Sequence, residues 1–83
     1  MTAKIIVRLF ADAREKLGVD FILADVPAPP TIAKLRVSLS EQSPALAKLL
    51  PHAMFAVEQR YVGNDTSLRD GEEVAMIPPV SGG

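Results

Sequence analysis

Glu72-Glu73-Val74-Ala75-Met76-Ile77-Pro78-Pro79-Val80-Ser81-Gly82-Gly83 is the stretch from which the rest of the sequence is best read. Its first half alternates: Val74 and Met76 fall on one face of a strand, Ala75 and Ile77 on the other. Its second half cannot continue that strand. Tandem prolines fix φ and donate nothing to a ladder, so pairing is expected to stop at Ile77. They also favour stiff polyproline geometry, and Gly82 and Gly83 carry no Cβ. The expected arrangement is a body over residues 1–77 and a flexible, extended tail over residues 78–83. What the tail offers is one reactive group, the α-carboxylate of Gly83, with Gly82 slim enough to be threaded into an enzyme.

Outward from that strand, the body divides into strands around helices. Lys4 to Phe10 alternates, with Ile5, Val7 and Leu9 as the core set and Ile6 and Phe10 on the opposite face. Ala11 to Leu17 is rich in helix formers, and Gly18 is placed to end that turn. Val19 to Val26 reads as a second strand returning beside the first. After the stiff Pro27-Ala28-Pro29-Pro30, Thr31 is an N-cap for a helix with Ile32, Leu35 and Leu39 on one stripe and Val37 off it. Ser40 to Ser43 breaks the pattern. Ser43-Pro44 then starts a shorter helix with Leu46, Leu49 and Leu50, which Pro51 stops.

Phe55 to Val57 is a third strand, with Phe55 and Val57 inward, and Glu58-Gln59 turns it into Arg60-Tyr61-Val62. Asp70-Gly71 leads into the last strand. Two strands, a main helix and two or three further strands form an α+β layout. The helix is expected to cover one face of a mixed sheet of four or five strands, burying Ile5, Val7, Leu9, Leu35, Leu39, Val57, Val74 and Met76. This is the β-grasp, or ubiquitin-like, architecture, whose first and last strands are parallel neighbours at the sheet centre. Phe10, Tyr61 and Ile77 are then expected on the face away from the helix, an apolar cluster suited to a partner.

Composition narrows the function. The chain has 83 residues, enough for one small domain with a single core. At 48% hydrophobic and 23% charged, it is a folding chain rather than a disordered one. A net charge of -1 lacks the basic surplus of a nucleic-acid binder. Without cysteine there is no disulfide, thiolate metal site or cysteine nucleophile, which suits a cytoplasmic location. No apolar run is long enough to span a membrane, and no signal-peptide pattern is present. His52 beside Pro51 reads as a surface loop residue, and the acidic pairs Glu72-Glu73 and Asp12, Glu15 read as solvated faces. With no triad, phosphate loop or metal spacing, no catalytic side chain, metal site or stably bound cofactor is expected.

The segment from Asp70 to Gly83, together with Phe10-Ala11-Asp12-Ala13-Arg14-Glu15 and Ala56-Val57-Glu58-Gln59-Arg60-Tyr61-Val62, resembles the molybdopterin synthase small subunit (the MoaD family). The resemblance covers essentially the whole chain. The Pro-Pro-Val-Ser-Gly-Gly string is its most specific part, because a terminal Gly-Gly alone is shared by many ubiquitin-like proteins. The sequence departs at Glu58, where the family usually has asparagine, a residue more tolerant of positive φ.

The resemblance implies a sulfur carrier for molybdenum-cofactor synthesis. The Gly83 carboxylate would be adenylated with ATP by an E1-like enzyme and converted to a thiocarboxylate. Sulfur would then pass to a pterin precursor inside the large synthase subunit, in a heterotetramer of two small and two large subunits. Carried over by position, Phe10, Arg14, Tyr61, Ile77, Pro78, Pro79 and Val80 would contact partners. A second reading keeps the tail chemistry but changes the recipient, as a sulfur carrier for thiamine synthesis or tRNA thiolation. A third, of a different class, is a ubiquitin-like modifier or plain interaction module joined to target lysines.

Overall fold

The computed structural model describes residues 1–78. Strand β1 (Thr2–Leu9) leads through helix α1 (Ala11–Leu17) to β2 (Phe21–Pro27). Helices α2 (Ile32–Gln42) and α3 (Pro44–Leu49) follow, then a short 3₁₀ turn over Leu50–His52. The chain ends its regular structure with β3 (Met54–Val57), β4 (Arg60–Val62) and β5 (Glu73–Ile77). The five strands form one sheet in the order β2-β1-β5-β3-β4. β1 and β5 pair in parallel, with Val7 opposite Val74 and Leu9 opposite Met76. All other pairings are antiparallel. First and last strands therefore lie side by side at the centre of the sheet, as the β-grasp expectation requires.

Alternation sets the layers. Ile5, Val7 and Leu9 of β1, Ala24 and Val26 of β2, Phe55 of β3, and Val74 and Met76 of β5 are buried on one face. Ile32, Leu35 and Leu39 of α2 and Leu46 of α3 meet them. Val37 lies off the α2 stripe and is exposed, as the helical period dictates. Val57 was expected in this core and is only half-buried at its margin. It closes the hairpin opposite Arg60, where the sheet runs past the helices.

The ends of the elements show why they stop. Gly18 adopts φ 69 and its N–H donates to the Arg14 carbonyl, a left-handed cap that only glycine makes without strain. This cap delays β2 to Phe21, two residues beyond the expected start. At α2 the first three helical N–H groups, which have no partner within the helix, are satisfied from outside it, and the fourth makes the first intrahelical bond. Ile32 donates to the Thr66 carbonyl at 3.1 Å and Ala33 to that of Asn64 at 2.9 Å. Lys34 donates to Thr31 Oγ1 at 3.2 Å and Leu35 to the Thr31 carbonyl at 2.9 Å. The long β4–β5 loop is thus fastened to the helix start, and its Leu68 is buried.

The expected break at Ser40 does not occur, and α2 continues to Gln42. Ser40 turns its hydroxyl onto the Val37 carbonyl at 2.8 Å, which lets serine sit inside a helix. Ser43 does cap α3, accepting from the Leu46 N–H at 3.3 Å. Pro51 falls inside the 3₁₀ turn rather than at the stop itself.

Among the described residues, three other than glycine have positive φ: Ala11 (50°), Glu58 (50°) and Gln59 (65°). The last two form the tight β3–β4 turn. Such turns match strand twist best with φ positive at both central residues, and asparagine and glycine fill them with least strain. Glutamate and glutamine here cost ~1 kcal/mol each.

Candidate functional site

Because one side of the sheet is committed to the helices, the period-2 pattern places the other set of side chains on a single open face. The pairing draws a line straight across it: Phe21 on β2, Arg8 on β1, Ala75 on β5, Ala56 on β3 and Tyr61 on β4. Tyr61 is 63% exposed, Phe21 51% and Met54 50%. Leu23 is exposed beside them, with Ile6 half-buried opposite it. These residues leave several large apolar side chains exposed together on one face of the sheet.

A groove of about 550 Å³ runs along β5 on this face. Phe10 and Ile77 stand at one end, Ala56 and Ala75 form the shallow middle, and Glu73 and the Glu58-Gln59 turn lie at the other. Arg8 flanks it, and its Nε reaches Glu73 Oε1 at 2.9 Å across the β1–β5 pair. The two alanines make the groove: with larger side chains, the same row of the sheet would be filled.

Four of the expected contact residues are gathered at this face and its margin. Phe10, 45% exposed, follows Leu9, and Ile77 follows the Met76 that pairs with Leu9, so the two stand beside each other. Tyr61 lies on the same face, one strand beyond Ala56 and outside the groove. Arg14 is on α1, around the corner from Phe10, with its Nε paired to Asp20 Oδ1 at 2.8 Å. Pro78, the last described residue, is buried. The expected sites at Pro79, Val80, Gly82 and Gly83 lie outside the described residues.

Reading the residues one by one missed Phe21, Leu23, Met54 and the Arg8–Glu73 pair. The signal was there in β2, where Phe21 and Leu23 share a parity opposite to that of Ala24 and Val26. Among the described residues no cluster of three or more histidine, cysteine or acidic side chains could hold a metal ion. No helix among them is long and apolar enough to cross a membrane. The strand at the centre of this face, β5, is the one that the sequence continues into residues 78–83.

Comparison with known proteins fits this geometry. Residues 7–83 match the ThiS family. The chain is 41% identical over 81 residues to the molybdopterin synthase sulfur carrier subunit of Escherichia coli (strain K12), covering 93% of this chain and 96% of that protein. The crystal structure of SAMP1 from Haloferax volcanii superimposes with a TM-score of 0.81 at 26% identity, covering 98% of this chain and 100% of that one. A complex of subunits 1 and 2 of molybdopterin-converting factor from Helicobacter pylori 26695 contains a chain of the same fold, with a TM-score of 0.65 at 22% identity over 96% of this chain and 99% of that one.

Proposed function

This chain belongs to the ThiS family, and we propose that it carries sulfur on the carboxyl group of Gly83 and delivers it to a pterin precursor within a molybdopterin synthase. The observation that carries the reading is the 41% identity to a molybdopterin synthase sulfur carrier subunit over nearly the whole of both chains. The fold supports it mechanically. β5 lies between β1 and β3 at the sheet centre, so a chain continuing past Ile77 is rooted in a strand paired on both sides.

The chemistry follows from what a carboxylate cannot do. It is a poor acyl electrophile, and no described side chain activates it. Activation is assigned to an E1-like partner that spends ATP to form the acyl-adenylate and releases pyrophosphate. A sulfur donor then displaces adenylate, leaving the thiocarboxylate. The large synthase subunit receives the loaded tail, in a heterotetramer of two small and two large subunits. Each partner must enclose the terminus, since water would hydrolyse the activated acyl group. No cofactor stays on the chain itself, and the work is placed in the cytoplasm, where ATP is at hand. The outer face, with Phe10, Tyr61 and Ile77, supplies the docking contacts that bring the tail to each enzyme.

The test is intact-mass measurement of the full chain after incubation with activating enzyme, ATP and sulfur donor. A mass gain of one oxygen-to-sulfur exchange at Gly83, followed by pterin sulfuration on adding the large subunit, is expected. Gly82→Leu should abolish one or both steps, because a side chain obstructs a channel made for glycine. Unimpaired sulfuration by Gly82→Leu would defeat the reading. The likeness to SAMP1, a small archaeal modifier protein, favours one second reading: attachment to lysines of other proteins. Covalent ladders in place of a thiocarboxylate would be its signature.

A further inference from the structure

The groove on the outer face carries a charge imbalance that says what must lie in it. Three ionisable side chains line it: Arg8, Glu73 and Glu58. Arg8 is already committed to Glu73 at 2.9 Å. Glu58 has no ion-pair partner among the described residues. Arg60, two residues on, shares the face of Val57, its pairing partner, and so belongs to the opposite side of the sheet. One uncompensated carboxylate therefore stands at the end of a groove whose middle is two alanines.

Glu58 is also held where glutamate fits poorly, at φ 50, in a turn better filled by asparagine or glycine. Backbone strain at a side chain lining the main groove of a docking face is the kind of outlier that points to function. In the free chain this carboxylate is solvated and costs nothing. A partner seated on the groove strips that water, which is unfavourable unless it returns a positive charge or strong donors.

We propose that the groove receives a segment of the molybdopterin synthase large subunit that lays an apolar side chain over Ala56 and Ala75 and reaches Glu58 with a lysine or arginine. Glu58 is then the specificity-determining contact of this carrier: it selects a large subunit with a basic residue at that point over one built for a neutral turn. The inference rests on the functional reading above.

The test is the dissociation constant of the full chain with purified large subunit, at low and high salt, for wild type, Glu58→Gln and Glu58→Lys. Glu58→Gln keeps the side-chain size and removes the charge; it should weaken binding roughly tenfold at low salt and flatten the salt dependence. Glu58→Lys should weaken it further, with the loss partly relieved by salt. Circular dichroism on each variant reports that the fold is intact, and Glu58→Gln alone decides the matter should Glu58→Lys unfold. Wild-type binding that both variants match, at both salt concentrations, overturns this inference and leaves the sulfur-carrier reading standing. A large subunit that does not bind wild-type chain at all overturns both.

Discussion

The two faces of one sheet have opposite design. On the inner face, Ile5, Val7, Phe55, Val74 and Met76 are wholly buried against α2 and α3. On the outer face, Phe21, Leu23, Met54 and Tyr61 are about half-exposed or more, and small alanines alternate with charge at the centre. Both faces come from the same strands, one residue out of phase. Hydrophobicity alone does not tell them apart; what does is whether the chain supplies its own cover. The inner face holds the domain together, and the outer face remains available for something else.

That contrast is most easily broken in the core. Phe55→Ala should cost ~3–5 kcal/mol, because it empties a packed site at the meeting point of β3 and the helices. This is a large share of the ~5–15 kcal/mol typical of a small domain, and chemical denaturation should show it directly. Arg36→Ala is expected to cost less, ~1–3 kcal/mol. The Arg36 guanidinium lies 4.8 Å from the centre of the Phe55 ring and donates to the carbonyls of Leu50 and Ala53, each at 2.9 Å. Its removal takes away the side-chain donor to the Ala53 carbonyl, leaves the Leu50 carbonyl with the Ala53 N–H alone, and uncovers the ring on one side. If Phe55→Ala unfolded no more easily than a surface variant, the division between the two faces would be wrong.

The outer face calls for the reverse result. Tyr61→Glu should leave the unfolding midpoint within the small range of surface substitutions, ±0.5 kcal/mol. It should weaken the complex with the large subunit by roughly tenfold or more, as expected for an aromatic anchor. Titration calorimetry on folded variant measures this. An unchanged dissociation constant would remove Tyr61 from the interface and confine docking to the groove beside it.

How far the sequence could be read follows the same division. The inner face was legible because burial and period coincide: Ile5, Val7 and Leu9, or Ile32, Leu35 and Leu39, need no tertiary knowledge to be assigned. Gly18, Thr31 and Ser43 were legible because each cap has a local chemistry. The central position of β5 came from the fold pattern, since parallel pairing leaves no local mark. What could not be read depends on distant partners. Nothing near Asn64 or Thr66 announces that their carbonyls complete the first turn of α2, and nothing near Arg36 shows that it spans to Leu50 and Ala53. The groove exists only because Ala56 and Ala75, remote in sequence, are neighbours across a strand pair. The outer row from Phe21 to Tyr61 was half-read, since Tyr61 was named and Phe21 was not, although both obey one parity.

The smallest expected effect is the most discriminating, because it has opposite signs on stability and on binding. Glu58→Asn relieves a non-glycine residue at φ 50 without altering any core contact. It should stabilise the domain by ~0.5–1 kcal/mol, since asparagine enters the left-handed region more readily than glutamate. For a domain of this length that is a rise of about 2–8 °C in Tm. The same change deletes the uncompensated carboxylate of the groove, so affinity for the large subunit should fall while stability rises. A purely structural turn would gain stability and lose nothing. A rise in Tm with unchanged affinity would therefore mark Glu58 as a turn residue only, whereas the paired gain and loss would show strain retained at the outer face for the sake of a partner.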